Sequence, residues 1–115
     1  SRGLGDVYKR QLITILLDNA VKYTNERGRI DVTLGKKKNR IYLSVFNTTE
    51  YISKEQTSRL FDRFYRTDIS RNSQTGGYGL GLSIAAATAD SHKGKIMAET
   101  EDEKSLRITV TFPGQ

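Results

Sequence analysis

Four glycines lie within six residues of this chain, at Gly76–Gly81, and an apolar, alanine-rich segment follows them at once. Glycine has no Cβ, so backbone N–H groups in such a stretch can approach an anion closely. A helix that starts here would add unsatisfied N–H donors and a partial positive charge. The pattern therefore predicts a phosphate site, and a flexible glycine turn before an ordinary helix is the alternative. No Gly-Lys-Ser/Thr closes the run, and residues 71–75 before it are too polar for the buried strand of a dinucleotide fold.

A second set of polar side chains interrupts an apolar helical pattern earlier in the chain. Asn19 lies three residues before Lys22 and four before Tyr23, so these residues share one face of a helix. An amide beside a buried stripe needs polar partners. One solution is a hydrated Mg²⁺ bound through the Asn19 carbonyl oxygen, while Lys22 reaches a phosphate. From this helix alone, a locally hydrogen-bonded asparagine and a solvated lysine are favoured.

Composition narrows the function classes. The chain has 115 residues, enough for one small domain, and its 19 Lys plus Arg against 13 Asp plus Glu give a net charge of +6, which suits an anionic partner. The lack of cysteine excludes thiolate metal sites, and the single histidine, His92, makes a histidine-based metal site an unfavoured interpretation. No apolar run reaches the ~18 residues of a membrane span, so we expect no membrane contact by this domain. The densest basic cluster, Lys36–Arg40, separates two strand-like runs and is interpreted as a solvated hairpin tip, not as a nucleic-acid site.

The elements that would position these groups follow from hydrophobic periodicity. Residues 1–10 are polar and are interpreted as a boundary segment, with the domain covering 11–115. Apolar spacing predicts a helix from Gln11 to a stop near Gly28, and alternation predicts strands around 30–34, 41–45, 94–99 and 106–112. A short helix is predicted at about 57–66, and another follows the glycines at about 79–91. The order predicts an α+β fold, a two-layer α/β sandwich whose sheet is mixed but mostly antiparallel, with helices on one face.

Three motifs in this order make the pattern specific. They are Asn-x-x-Lys-Tyr at 19–23, Phe-Asp-Arg-Phe-Tyr-Arg at 61–66, and the glycine run continuing into Leu82. Together they resemble the ATP-binding catalytic domain of bacterial two-component sensor histidine kinases, which shares its fold with gyrase-type and chaperone ATPases. The resemblance implies ATP and Mg²⁺ as cofactors. It also implies transfer of the γ-phosphoryl group to a histidine on the protein's own separate dimerisation domain, with a response regulator as the next acceptor. Such a domain would be the cytoplasmic part of a membrane-anchored sensor.

The resemblance also implies a role for each matching residue. Asn19 would hold Mg²⁺, Lys22 and Tyr23 would lie along the phosphates and ribose, and Arg66 would approach the terminal phosphate, so Lys22 and Arg66 are the candidate catalytic residues. Phe61 and Phe64 would anchor a lid at 67–78, and Tyr65 would serve in packing or in nucleotide contact. The phosphate-facing turn and helix start would comprise Gly77, Gly79, Leu80, Gly81 and Leu82.

The chain departs from the family pattern at two places. The family has Asp-x-Gly-x-Gly where this chain has Asn47-Thr48-Thr49-Glu50-Tyr51, followed by Ile52. Asn47 could accept from the adenine amino group or donate to a ring nitrogen, and Ile52 would be an apolar wall for the base. Ile15 stands where the family often has a second asparagine, which leaves Asn19 as the metal ligand.

His92 is interpreted as a helix-end residue, so the phosphoacceptor histidine is expected outside this sequence. Two alternatives remain in view. One is a pseudokinase domain that binds nucleotide weakly or only docks partners, since the loop at 47–51 is degenerate. The other is a serine kinase of the same fold, which the Phe-Tyr-Arg segment disfavours.

Overall fold

The computed structural model describes residues 2–66 and 80–114, with side chains from residue 6 onward. Its helices and strands, in chain order, are α1 (Arg2–Tyr23), β1 (Ile30–Lys37), β2 (Arg40–Thr48), α2 (Lys54–Arg59), α3 (Gly81–Ser91), β3 (Lys95–Glu99) and β4 (Ser105–Pro113). The order of helices and strands matches the predicted one. The predicted lid, Gly77 and Gly79 lie outside the described residues.

The four strands form one sheet in the order β1-β2-β4-β3, and every pairing between them is antiparallel. The α+β class is therefore confirmed, and no parallel pair occurs among the described strands. Asn47 on β2 pairs with Ile30 on β1 and with Leu106 on β4, which places it inside the sheet at the end of its strand.

Side-chain alternation gives the sheet one buried face. On β4, Leu106, Ile108 and Val110 are at most 2% exposed, whereas Arg107 between them points to the opposite face and is exposed. The helices α1 and α3 pack against the buried face and against each other. The core is therefore a single layer between the helices and the sheet, and its buried members are Leu12, Leu16, Ala20, Val45, Ile52, Leu60, Ala85, Ala89, Leu106, Ile108 and Val110.

Helix α1 is longer than its hydrophobic pattern predicts, because it begins at Arg2 and not at Gln11. Residues 6–11 are all exposed, so this part of the helix buries nothing and carries no apolar period. The buried stripe is also narrower than predicted. Leu12, Leu16 and Ala20 are buried, whereas Ile13 and Val21 are 41% and 67% exposed. Asn19 and Tyr23 are buried as well, so the packed face follows the usual helical spacing of three and four residues but excludes the Ile13 and Val21 flank.

The short middle helix was predicted too late in the chain. A capping box fixes the start of α2 at Lys54. The Ser53 hydroxyl accepts from the Gln56 N–H at 3.0 Å, and Gln56 Oε1 accepts from the Ser53 N–H at 2.8 Å. The helix ends at Arg59. Residues 60–66 continue as turns, with Phe64 in the left-handed region at φ 65°. The aromatic segment of the second motif is therefore a loop after the helix.

Helix α3 ends in a Schellman motif, in which the Gly94 N–H donates to the Ala89 carbonyl and the Lys93 N–H donates to Asp90. The left-handed residue of this motif is Lys93, at φ 62°, and not the neighbouring glycine. Gly94 is needed for a different reason. A Cβ there would lie 2.6 Å from the Thr111 carbonyl oxygen and 2.7 Å from the Phe112 ring, so the helix end packs directly on β4.

Candidate functional site

The last turns of α1 carry the first group of predicted site residues. Asn19 is only 9% exposed, and its side-chain amide forms no hydrogen bond within the described part of the chain. Tyr23, 5% exposed, lies under the Lys22 ammonium, with Nζ 5.8 Å from the ring centroid. The amide is therefore open to water or to a ligand, and its predicted role as a metal ligand stays a prediction.

Lys22 and Arg66 come together although 44 positions separate them in the sequence. The pKa of Lys22 is lowered from its usual 10.5, first by burial of the ammonium and second by the positive charge of Arg66. A bound phosphate would favour the charged form of Lys22 and so offset both causes of its lowered pKa, which makes this position suited to an anionic ligand.

The start of α3 lies beside α1. A Cβ on Gly81 would be 3.7 Å from Cγ2 of Ile15, one helical turn before Asn19. Leu80 is the N-cap residue and gives no side-chain hydrogen bond to the first turn; the Ser83 hydroxyl donates back to the Leu80 carbonyl at 2.8 Å. Leu82 packs against the core and fixes the helix orientation. Within the described residues, no side chain caps the N-terminus of α3, which lies on the same side of α1 as Ile15.

Asn47 is 1% exposed at the end of β2, and its Nδ2 donates to the Thr48 carbonyl at 3.0 Å. Its Oδ1 accepts no hydrogen bond from the described residues. The loop that follows is tied to the turn before β4, since the Thr49 N–H donates to Lys104 O and the Ile52 N–H donates to Glu103 O, both at 2.9 Å. Backbone hydrogen bonds therefore shape this loop in the absence of the family's two glycines.

Ile52 is also 1% exposed and belongs to the core. Its predicted role as a wall for a base remains a prediction.

The aromatic segment separates into packed and exposed side chains. Phe61 and Tyr65 pack against the core, and the Arg59 guanidinium lies 4.6 Å from the Tyr65 ring centroid. Phe64 is 61% exposed and left-handed. For Tyr65 the structure shows packing, which was one of the two roles considered.

Sequence reasoning missed a hydroxyl cluster that joins the end of α1 to the end of β2. Thr48 Oγ1 donates to Asn25 Oδ1 at 2.7 Å and accepts from the Arg29 N–H at 2.8 Å. The Oγ1 atoms of Thr24 and Thr49 are buried without a hydrogen-bond partner in the described part of the chain. Thr24, Thr48 and Thr49 gave at best a weak sequence signal, because threonine is common in strands.

No group of three or more His, Asp or Glu side chains that could hold a metal ion occurs within residues 2–66 and 80–114. A hard cation would therefore depend on an amide oxygen, water and the ligand's own oxygens, which is how Mg²⁺ is commonly bound with phosphates. Asn19 fits that donor set.

His92 caps the C-terminus of α3, as predicted. Its Nδ1 lies 2.9 Å from the Thr88 carbonyl oxygen, and its ring contacts Tyr8 at 5.9 Å between centroids. A carbonyl only accepts hydrogen bonds, so Nδ1 carries the proton in this arrangement. In the described residues, none of the helices combines the length and the apolar character that crossing a membrane requires.

Known proteins match this arrangement of elements and residues. The sequence profile of the histidine kinase-, DNA gyrase B- and HSP90-like ATPases matches residues 7–115. The sensor protein CiaH of Streptococcus pneumoniae is 45% identical over 110 residues, covering 92% of this chain and 25% of that protein. The sensor histidine kinase YkoH of Bacillus subtilis is 42% identical over 106 residues, covering 92% of this chain and 23% of that protein.

The fold matches as well. A nucleotide-free form of the catalytic domain of histidine kinase ThkA superposes with a TM-score of 0.76 at 30% identity, covering 93% of this chain and 66% of that one. The chain spans about a quarter of the length of the curated relatives. It belongs to the histidine kinase-, DNA gyrase B- and HSP90-like ATPase family, and its relatives are sensor histidine kinases.

Proposed function

We propose that this domain binds ATP with Mg²⁺ and supplies its γ-phosphoryl group to a histidine on a separate dimerisation domain of the same protein. The observation that carries the proposal is the electrostatic effect of Arg66 on Lys22, which lies three residues after Asn19 on α1. Burial, and secondly the positive charge of Arg66, lower the pKa of Lys22, so the Lys22 ammonium is partly buried and lies within electrostatic reach of a second cation. A triphosphate is the ligand that best relieves this arrangement.

The phosphate end would be held by three kinds of group. Lys22 gives a point charge, and Arg66 gives a planar guanidinium suited to phosphoryl oxygens. The start of α3, at Leu80–Leu82, would give backbone N–H groups, since no side chain of the described residues caps it. Gly77 and Gly79 keep their predicted role in the same turn, and Tyr23 keeps its place along the ribose. Positioning and charge neutralisation are what phosphoryl transfer chiefly requires of a protein.

Mg²⁺ would be held by the Asn19 carbonyl oxygen together with phosphate oxygens and water. When bound, it would offset charge on the transferring phosphoryl group. The Asn19 amide suits this role because no hydrogen bond in the described structure competes for it.

Adenine would be recognised at Asn47. One Nδ2 hydrogen is used by the Thr48 carbonyl, so the amide presents Oδ1 as its open acceptor. The 6-amino group of adenine is a donor, whereas the 6-oxo group of guanine is an acceptor and would face Oδ1 unfavourably. This orientation supports selection of ATP over GTP.

The longer protein would be a membrane-anchored sensor with this domain in the cytoplasm, and a response regulator would take the phosphoryl group from the histidine. The similarity to sensor histidine kinases over 92% of the chain supports this context.

Calorimetric titration with a non-hydrolysable ATP analogue, with and without Mg²⁺, tests nucleotide binding. We expect micromolar binding that strengthens with Mg²⁺, exceeds binding of the matching GTP analogue, and loses its Mg²⁺ dependence in Asn19→Ala. The matched control is Asn25→Ala, which breaks the hydrogen bond from Thr48 and should lower stability without changing the Mg²⁺ dependence.

Mixing the domain with ATP and a separately produced dimerisation domain of a close relative tests the phosphoryl transfer. Acid-labile, base-stable label on the acceptor histidine is expected, and none on this domain alone. Nucleotide binding without transfer to any acceptor, including the dimerisation domain of its own full-length protein, would favour the pseudokinase. No nucleotide binding at all would refute the proposal.

A further inference from the structure

An apolar stripe runs along the side of α1 that faces away from α3. Ile13, Leu17 and Val21 recur every four residues, so they share one side of the helix, and they are 41%, 37% and 67% exposed. Ile15 marks the side next to α3, because its Cγ2 lies 3.7 Å from the position that a Cβ on Gly81 would take. Ile13 is about 200° around the helix from Ile15. The stripe therefore points away from α3.

The stripe faces the space above β1. The sheet order is β1-β2-β4-β3, α1 packs against β2, and α3 packs against β3 and β4, so β1 lies on the side of α1 that is remote from α3. Val32 and Leu34 pair with the core residues Val45 and Leu43, and directly opposite residues share a face of the sheet. Both therefore point to the helix side, yet they are 53% and 73% exposed. The described helices leave this part of the sheet uncovered.

The backbone of β1 is open along the same edge. Within the described sheet β1 is an outer strand, and Arg29, directly before it, accepts a hydrogen bond from the Thr48 N–H of β2. Peptide groups alternate in direction along a strand, so the N–H and C=O groups of Val32 and Leu34 point away from β2. The same two residues thus present an apolar side chain and a backbone edge to a possible neighbour.

This combination fits one shape of partner. Natural edge strands are commonly short, charged or covered, whereas β1 has eight residues and its middle, residues 32–35, contains no charged residue. We call the space between the α1 stripe and the helix-side face of β1 the α1–β1 groove. A strand added to β1 would pair with its backbone and direct every second side chain into this groove. The occupant is therefore an extended segment with apolar residues at alternating positions.

We propose that an extended segment of the same protein, from outside these 115 residues, adds to β1 and fills the α1–β1 groove. The solved catalytic domain of ThkA supports this source: this chain covers 66% of it, so a relative's catalytic domain contains residues that have no counterpart here. A second copy of this chain is a poorer occupant, because each copy carries a net charge of +6. The inference rests on the longer protein proposed above, but not on nucleotide binding.

Hydrogen exchange tests the proposal, measured by mass spectrometry without nucleotide in this domain and in the complete protein in detergent. We expect the amides of residues 30–36 to exchange at least about tenfold more slowly in the complete protein, because an added strand would accept their hydrogen bonds. Residues 95–99 of β3, at the other edge of the described sheet, should exchange equally in both proteins. Nucleotide titration of the domain alone bears only on the proposed function, so the two can fail separately.

A double variant tests the groove itself. Val32→Thr/Leu34→Thr retains residues suited to a strand but removes the apolar surface, so it should abolish most of the slower exchange in the complete protein. It should leave the thermal unfolding of this domain nearly unchanged, because both side chains are exposed there. Met97→Thr is the matched control, since Met97 is 57% exposed on the other edge strand and on the opposite face of the sheet. This control should retain the slower exchange.

The occupant can be identified by cross-linking. The chain has no cysteine, so Leu34→Cys carrying a benzophenone, in a complete protein whose other cysteines are replaced by serine, labels the groove alone. A cross-link to a segment outside residues 1–115 of the same protein supports the proposal. Equal exchange of residues 30–36 in the two proteins, slower exchange that survives the double variant, or a cross-link within residues 1–115 would overturn it. So would sedimentation of this domain as a dimer in which residues 30–36 become protected.

Discussion

Lys22 and Arg66 are brought close enough that the charge of Arg66 adds to the lowering of the Lys22 pKa, which burial of the Lys22 ammonium begins. The two residues come from the end of α1 and from the loop after α2, so only the folded chain creates this pair. Because burial is the larger cause, the Lys22 pKa depends mainly on how far the Lys22 ammonium is shielded from water, and secondarily on the charge of Arg66.

The first prediction concerns the Lys22 pKa itself. NMR titration of the Lys22 Nζ should give a value below 10.5 in the apo domain, a partial return towards 10.5 in Arg66→Gln, and a larger rise when an ATP analogue binds. The return in Arg66→Gln is partial because that substitution leaves burial unchanged. An unchanged Lys22 pKa after nucleotide addition would place the phosphates elsewhere.

The same shift predicts a pH dependence of stability. Between the lowered folded pKa of Lys22 and 10.5, the unfolded chain binds more protons than the folded one, so the free energy of unfolding rises with pH in this window. Denaturant unfolding of the parent and of Lys22→Met, compared across that window, isolates the contribution of this residue because other lysines titrate in both proteins. The parent should gain stability relative to Lys22→Met as pH rises.

The residues of this pair were predictable from the sequence, but their environment was not. The resemblance to sensor histidine kinases implies roles for Asn19, Lys22 and Arg66, and these roles stay predictions; the structure adds that the charge of Arg66 acts on Lys22. Hydrogen bonding depends on packing across the fold, so the sequence could not tell whether the Asn19 amide has a partner, or which atoms of Asn47 remain open. The hydroxyl cluster of Thr24, Thr48 and Thr49 was missed for the same reason.

Two substitutions at Asn47 separate the hydrogen-bond donor role of its amide from the acceptor role. Asn47→Asp keeps an acceptor but places a carboxylate oxygen beside the Thr48 carbonyl, so stability should fall by about 1–3 kcal/mol while the preference for ATP over GTP persists. Asn47→Leu removes both roles and should abolish the preference. Denaturant unfolding and paired titrations with ATP and GTP analogues measure the two effects, and a preference retained in Asn47→Leu would exclude this residue from base recognition.

The face of α1 provides a test of packing. Leu16 is fully buried, so Leu16→Ala should cost about 2–5 kcal/mol of unfolding free energy. Val21 also belongs to the apolar pattern predicted from the sequence, but it is 67% exposed, and Val21→Ala should change stability by no more than about 0.5 kcal/mol. Periodicity identified the helix but overestimated its buried stripe, because which flank of a helix is covered depends on where the neighbouring elements end.

A helix end can require glycine for a positive φ or for close packing, and the sequence alone does not distinguish these two reasons. At the end of α3 the two requirements fall on neighbouring residues. Lys93 adopts the left-handed conformation, so Lys93→Gly should stabilise the domain by about 1 kcal/mol. Gly94 has no positive φ but lies against Thr111 and Phe112, so Gly94→Ala should destabilise it by about 1–3 kcal/mol through overpacking. Thermal or denaturant unfolding of the two single variants and of the double variant measures both effects. If Gly94→Ala were tolerated and Lys93→Gly gave no gain, the left-handed position would lie at residue 94, and the helix would end one residue later than the structure shows.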